Sequence, residues 1–189
     1  DETAQAVGAV NAIRIRNNQL TGFNTDAVGF QKSLTAWLTE QGRMPMPDSP
    51  SEGVLKTGWM RAVILGTGGA AAAVAFVLKK MQIDFVFVSR THKGQNTVSY
   101  EELHGLLPNE FTWFGHAPPA GPSPDLDPCP PVPFDLLHER HLVFDLVYNP
   151  AETLLLRRAG ARGAAVKNGL EMLQLQAEAA WRIWQNNHR

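Results

Sequence analysis

The chain has 189 residues, 44% of them hydrophobic and 19% charged, with 17 Lys and Arg against 18 Asp and Glu for a net charge of −1. That composition suits a soluble globular body of one large or two small domains, and the lack of a basic excess argues against nucleic acid or an anionic membrane as partner. The single cysteine, Cys129, has no disulfide partner and no metal-ligand spacing around it, so no metal site is expected and a reducing, cytoplasmic setting is the default. Residues 62–78 carry no charge, but the stretch is short for a membrane span and is broken by Gly66, Gly68 and Gly69. The start, Asp1-Glu2-Thr3-Ala4, has no leader-like basic or apolar region and no initiator Met, so the sequence is expected to begin inside a longer protein.

In chain order, residues 10–15 alternate as a strand does, Asn17-Asn18 suits a turn, and Ala27, Phe30, Leu34, Trp37 and Leu38 mark one face of a helix. Residues 42–58, with Pro45, Pro47 and Pro50, read as a linker. Ala62-Val63-Ile64-Leu65 then predicts a strand, residues 66–69 a glycine loop and 70–78 a helix. A strand at Phe85-Val86-Phe87-Val88, a short helix over 100–107 and a strand over 111–114 follow. Residues 117–133 are too rich in proline to be regular, 141–147 resume a strand, and Leu170, Leu173, Ala177, Trp181 and Trp184 fall on one face of a final helix. Trp181 and Trp184 are read as packing residues rather than a stacking platform. Strands alternating with helices predict an α/β fold with a Rossmann-like, doubly wound parallel sheet.

Gly66-Thr67-Gly68-Gly69-Ala70 stands between a strand and a helix, where a dinucleotide pyrophosphate is held. The glycines allow a tight turn and close backbone approach, and the unpaired N–H groups of the helix start favour negative charge. The end of the next strand selects the nucleotide. An NAD site places a carboxylate there for the ribose hydroxyls, whereas this chain has Ser89-Arg90-Thr91-His92-Lys93. Arg90 offers a planar fork to phosphate and a surface for adenine, and Lys93 adds a point charge, so NADP is expected.

Six ordered motifs carry a resemblance that covers nearly the whole chain. They are Gly8-Ala9-Val10-Asn11; Gly22-Phe23-Asn24-Thr25-Asp26 with Gly29-Phe30; the glycine loop; Ser89-Arg90-Thr91; Asp145-Leu146-Val147-Tyr148-Asn149-Pro150; and Asn168-Gly169-Leu170-Glu171-Met172-Leu173 with Gln176 and Trp184. In this order they resemble shikimate dehydrogenase. The resemblance implies NADPH-dependent reduction of 3-dehydroshikimate to shikimate, a step of aromatic amino-acid biosynthesis, in a cleft between a substrate domain and a nucleotide domain. It implies that Asn11, Asp26, Tyr148 and Gln176 bind substrate, with Asp26 also catalytic. It further implies that Gly66, Thr67, Gly68, Gly69 and Ala70 hold the pyrophosphate, that Ser89, Arg90, Thr91 and Lys93 hold the adenosine phosphate, and that Leu146 and Gly169 line the nicotinamide. The corresponding division of the chain is 1–26 as a remnant of the N-terminal α/β substrate domain, 27–58 as helix and linker, 59–167 as the NADP-binding domain and 168–189 as a returning helix.

Read without the resemblance, several of these residues have plainer roles. Asp26 stands before the helix face that starts at Ala27 and reads as its N-cap, worth about 1 kcal/mol. Asn11 suits a turn or strand edge, Asn149-Pro150 a turn, Tyr148 a boundary position and Gln176 the solvent face of the last helix.

Two departures from the family bear on function. The Asn-Val-Thr-x-Pro-x-x-Lys segment that carries the family's proton-shuttling lysine, and its serine pair, are not in this sequence; Lys32 follows Asp26 but has no context for that role. The family's Asn-Ala-Thr-Pro-x-Gly-Met loop is replaced by His116-Ala117-Pro118-Pro119-Ala120-Gly121-Pro122, which removes a hydroxyl and two backbone donors. Two alternatives stand beside the fragment reading: a non-catalytic NADP-binding module, and a preference for quinate. Exposed apolar surface on the first strands is expected to favour a homodimer or instability.

Overall fold

The computed structural model describes residues 1–43, 60–91, 94, 96–110, 113–117 and 129–185. The linker beyond residue 43, the predicted strand positions 111 and 112, His92, Lys93 and residues 118–128 of the proline-rich loop lie outside the described residues.

A short helix α1 (Glu2–Val7) leads into an antiparallel hairpin of β1 (Ala12–Arg16) and β2 (Gln19–Phe23), followed by α2 (Asp26–Glu40). Next come β3 (Arg61–Leu65), α3 (Gly69–Lys80), β4 (Asp84–Val88), β5 (Thr97–Val98), α4 (Tyr100–Glu110) and β6 (Trp113–His116). A 3-10 turn at Phe134–Leu136 precedes β7 (Leu142–Asp145), α5 (Leu154–Gly160), β8 (Ala165–Lys167) and α6 (Leu170–Gln185). Strands β3 to β8 form one parallel sheet in the order β5-β4-β3-β6-β7-β8. The expected α/β, doubly wound architecture is therefore present.

Both faces of that sheet are covered. Ala62 and Ile64 of β3, with Leu142 and Phe144 of β7, pack against α2, α3 and the start of α6 through Phe30, Trp37, Val74 and Met172. Their strand neighbours Val63, Leu65 and Val143 point the other way, onto Leu103 of α4 and Leu155 and Leu156 of α5. Residues that alternate between two apolar layers read as continuous apolar runs, which is why β3 and β7 were legible in the sequence.

Three expectations need correction. Residues 1–26 also hold a helix that the sequence did not signal: Asp1 caps α1 through Ala4 N–H at 2.8 Å and Gly8 closes it in the left-handed region, a local signal too short to show as a periodic pattern. The first strand starts at Ala12 rather than residue 10.

The buried stripe of α6 runs through Met172 and Ala180, not through the predicted face. Trp181 is 60% and Trp184 50% exposed, so neither is a core packing residue; Trp184 Nε1 instead donates to the Ile13 carbonyl at 3.0 Å. The partner helix α2, rather than the helix's own apolar content, decides which face turns inward. Last, α2 is not capped by Asp26: the Asn24 side chain accepts the Ala27 N–H at 3.0 Å, and Asp26 begins the helix proper.

Candidate functional site

Because Asn24 does the capping, the Asp26 carboxylate is available for other contacts. Asn11, just before β1, donates from Nδ2 to Asp26 Oδ1 at 2.8 Å and to Thr25 Oγ1 at 3.0 Å, and accepts the Thr25 backbone N–H at 2.8 Å through Oδ1. The Thr25 hydroxyl reaches Gln176 Oε1 on α6 at 3.1 Å, and Gln176 Oε1 also lies 3.4 Å from Asn11 Nδ2. Three predicted residues, Asn11, Asp26 and Gln176, thus meet around Thr25, although 165 positions separate the first from the last. The Gln176 amide N–H groups make no hydrogen bond within this network.

A helix crossing makes this meeting possible. A Cβ added at Gly29 would lie 2.6 Å from the Met172 carbonyl oxygen and 2.9 Å from Gln176 N and Cβ, so only glycine lets α2 and α6 approach this closely. One turn along α2, Ser33 donates to Glu171 Oε2 at 2.6 Å, and Lys167 pairs with the same carboxylate at 2.8 Å. Gln176 is therefore held against α2, not on the solvent face that its sequence context suggested.

Burial raises the Asp26 carboxyl above its ordinary 3.8, and the Asn11 hydrogen bond partly offsets that rise. Such a group holds or passes a proton more readily than an exposed aspartate.

The predicted cofactor residues line the C-terminal edge of the parallel sheet. Gly66 N–H donates to Val88 O at 3.0 Å, Ser89 N–H to Val98 O at 3.1 Å, Ala117 N–H to Leu65 O at 3.0 Å and Leu146 N–H to His116 O at 2.9 Å. Gly169 N–H to Val147 O at 3.0 Å extends the row to the start of α6. Each residue is thereby tied to the next crossover, so the turns after β3, β4, β6 and β7 form one continuous rim.

Gly66 sits at φ 116°, where an added Cβ would strike the Ala117 carbonyl oxygen at 2.4 Å; at Gly169 it would lie 2.0 Å from Leu146 O. Thr67, Gly68 and Gly69 are exposed, and nothing stands within 4 Å of a Cβ at Gly68, the N-cap residue of α3. Helix N-terminal N–H groups there lack intrahelical acceptors, which makes an open, donor-lined cradle suited to a pyrophosphate.

Arg90 is exposed at the end of β4 and acts electrostatically on Tyr100, whose phenol burial raises above 10.0 while Arg90 opposes the rise. Thr91 N–H approaches Ser89 Oγ at 3.4 Å. Lys93 lies outside the described residues. Tyr148 is 49% exposed after β7, and no hydrogen bond among the described residues joins it to the Asn11–Asp26 network. The two halves of the site touch where a Cβ at Gly69 would sit 3.4 Å from Ala9 Cβ, two residues before Asn11.

Sequence reasoning missed Thr25, Asn24 and Tyr100. The Asn24-Thr25-Asp26 triplet could have signalled that the cap was already supplied one step earlier. Among the described residues no three His, Cys, Asp or Glu side chains converge as a metal site would need, and no helix is long and apolar enough to cross a membrane.

No family model matches the chain. A curated relative, the NADP(+) shikimate dehydrogenase of Desulforamulus reducens, is 34% identical over 206 residues, covering 97% of this chain and 64% of its own length. The shikimate 5-dehydrogenase fused to chorismate mutase from Clostridium acetobutylicum superposes with a TM-score of 0.76 at 31% identity, over 100% of this chain and 64% of that one. The shikimate 5-dehydrogenase of Thermus thermophilus, solved with NADP(H) and shikimate, gives a TM-score of 0.69 at 32% identity, over 98% of this chain and 65% of that one. This chain thus spans a little under two thirds of the length of these relatives. Over the stretch they share, from α1 to the last helix, the chain is similar in sequence and in fold to shikimate dehydrogenases.

Proposed function

We propose that this chain supplies the NADP site and one wall of the substrate site for the reduction of 3-dehydroshikimate to shikimate. The observation that carries this reading is the convergence of Asn11, Asp26 and Gln176 beside the glycine loop. The exposed cradle at residues 67–69, Arg90 and the rim from Gly66 to Gly169 fit a phosphorylated dinucleotide. When bound, NADPH supplies the hydride. Asn11 and the Gln176 amide orient ring hydroxyls by hydrogen bonding, and Asp26 accepts from a substrate hydroxyl and holds a proton at its carboxyl. Burial keeps that carboxyl in a range where exchange of the proton costs less than for an exposed aspartate. Tyr148 extends from the rim side as a further substrate contact.

The Asn-Val-Thr-x-Pro-x-x-Lys segment is not in this sequence, so the partner of Asp26 in proton transfer has to come from elsewhere. Residues 59–167 would form the nucleotide domain, 1–26 the end of a substrate domain, 27–58 the connection between them and 168–189 the helix returning to it. A cytoplasmic setting fits a sequence with a single cysteine, and Ile13, Ile15 and Leu20 offer a surface that a homodimer would bury.

The test is NADP-dependent oxidation of shikimate by this chain, with NADPH binding measured on the same sample. Turnover lost in Asp26→Asn would make the chain sufficient by itself. Binding without turnover would leave a cofactor half that needs the missing lysine. Failure of both would sink the NADP reading.

A further inference from the structure

The strand order reverses between β3 and β6: the chain leaves β3 for β4 and β5 on one side and returns at β6 on the other. Open α/β sheets bind ligands in the crevice at the carboxyl ends of such strands. His116 is the last residue of β6, in register with Leu65 of β3 on one side and Asp145 of β7 on the other. Ala117, its neighbour, is the residue whose carbonyl abuts Gly66 of the glycine loop.

Asp145 is fully buried, and both of its oxygens are occupied. Oδ1 accepts the Val147 N–H at 3.1 Å and faces His116 Nδ1 at 3.0 Å, while Oδ2 accepts the Thr153 hydroxyl at 2.6 Å. Thr153 Oγ1 itself accepts the Leu156 N–H, so its hydrogen is available to Asp145. A carboxylate serving as acceptor on every side requires a hydrogen on His116 Nδ1, which in the uncharged tautomer leaves Nε2 bare. Nε2 is then an acceptor. It makes no hydrogen bond among the described residues, and Arg14 Nε is the one buried side-chain nitrogen or oxygen without a partner there. With its side chain 13% exposed, His116 therefore presents Nε2 to solvent at the crevice.

We propose that His116 is a further cofactor-contacting residue and Asp145, backed by Thr153, its positioning residue. Asp145 fixes the ring so that Nε2 accepts a hydrogen bond from a hydroxyl or amide of the bound dinucleotide. This rests on the nucleotide reading above and adds a side-chain contact to a rim otherwise built from backbone between the glycine loop and Gly169.

The experiment is a titration of the 15N-histidine-labelled chain with NADPH, followed through the His116 ring nitrogens, alongside NADPH affinity for the wild type and His116→Phe. Expected are a bare Nε2 and a protonated Nδ1 before addition, a shift of Nε2 on saturation, and affinity about threefold to tenfold weaker in His116→Phe, measured below its melting temperature, which falls because the buried Asp145 carboxylate loses a donor. Asp145→Asn is expected to lose the fixed tautomer. An Nε2 signal unmoved by saturating NADPH, or full affinity in His116→Phe, overturns the proposal while leaving the nucleotide reading intact. A wild-type chain that binds no NADPH overturns both. If either variant fails to fold, the wild-type titration decides alone.

Discussion

In the parallel sheet, Ala62, Val63, Ile64 and Leu65 alternate between two layers of helices and all are buried. In the β1–β2 hairpin, Ile13, Ile15 and Leu20 share one face and are 52%, 71% and 70% exposed, while Arg14 and Arg16 take the half-buried positions and Arg14 stacks on Phe23 at 5.2 Å. Both regions show strand-like patterning, yet only one turns its apolar residues into a core. Alternation states the period of a strand; a neighbouring layer decides which face is inside. The sheet has helices on both sides, whereas within the described residues the hairpin's isoleucine face has no covering layer. The Asn11–Asp26–Gln176 network hangs from the base of the hairpin but is clamped by α2 and α6, so its geometry depends on the helix crossing.

The largest expected effect is in the sheet. Phe144 is fully buried against Phe30 and Trp37, with ring centroids 5.4 and 5.8 Å away, and Phe144→Ala is expected to cost about 3–5 kcal/mol in urea unfolding. Next comes Gly169→Ala, whose Cβ would meet the Leu146 carbonyl oxygen at 2.0 Å: a loss of about 3 kcal/mol is expected by the same measurement. Gly68→Ala, entering open space, is its control, and is expected to weaken NADPH binding with little change in melting temperature.

Asp26→Asn separates site from scaffold. Because burial raises the folded-state pKa above 3.8, the native state holds this proton more tightly than the unfolded chain. Its contribution to stability is therefore lost as pH rises from the unfolded value through the folded one. Asp26→Asn is expected to melt slightly above wild type at neutral pH, with the difference closing below the unfolded carboxylate range, while turnover of the complete catalytic assembly falls at least about a hundredfold. Equal melting at both pH values would mean the carboxyl is not desolvated.

Smallest is the hairpin: in the monomeric chain Ile15→Thr and Leu20→Thr are each expected to change stability by about 0.5 kcal/mol or less. A cost near that of Phe144→Ala, or a shift from dimer to monomer in sedimentation, would break the contrast by revealing a cover on that face.

The sequence by itself determined the alternation of strands and helices, the glycine cradle at the head of α3 and the cationic end of β4, because each depends on neighbours a few residues apart. It also carried Asn11, Asp26 and Gln176 through motif likeness, but its local signals assigned Asp26 to a cap and Gln176 to solvent. Only the tertiary structure decided those roles. Asn24 takes the cap, and the glycine at position 29 lets α6 descend onto α2, which turns Gln176 toward Thr25 and Asn11. The helices α1 and α5 and the short strands β5 and β8 were not legible, since elements of two to seven residues are held by contacts with the rest of the fold rather than by their own periodicity. The pairing of His116 with Asp145 is of the same kind: 29 positions apart in the chain, the two stand side by side only because β6 and β7 are neighbours in the sheet.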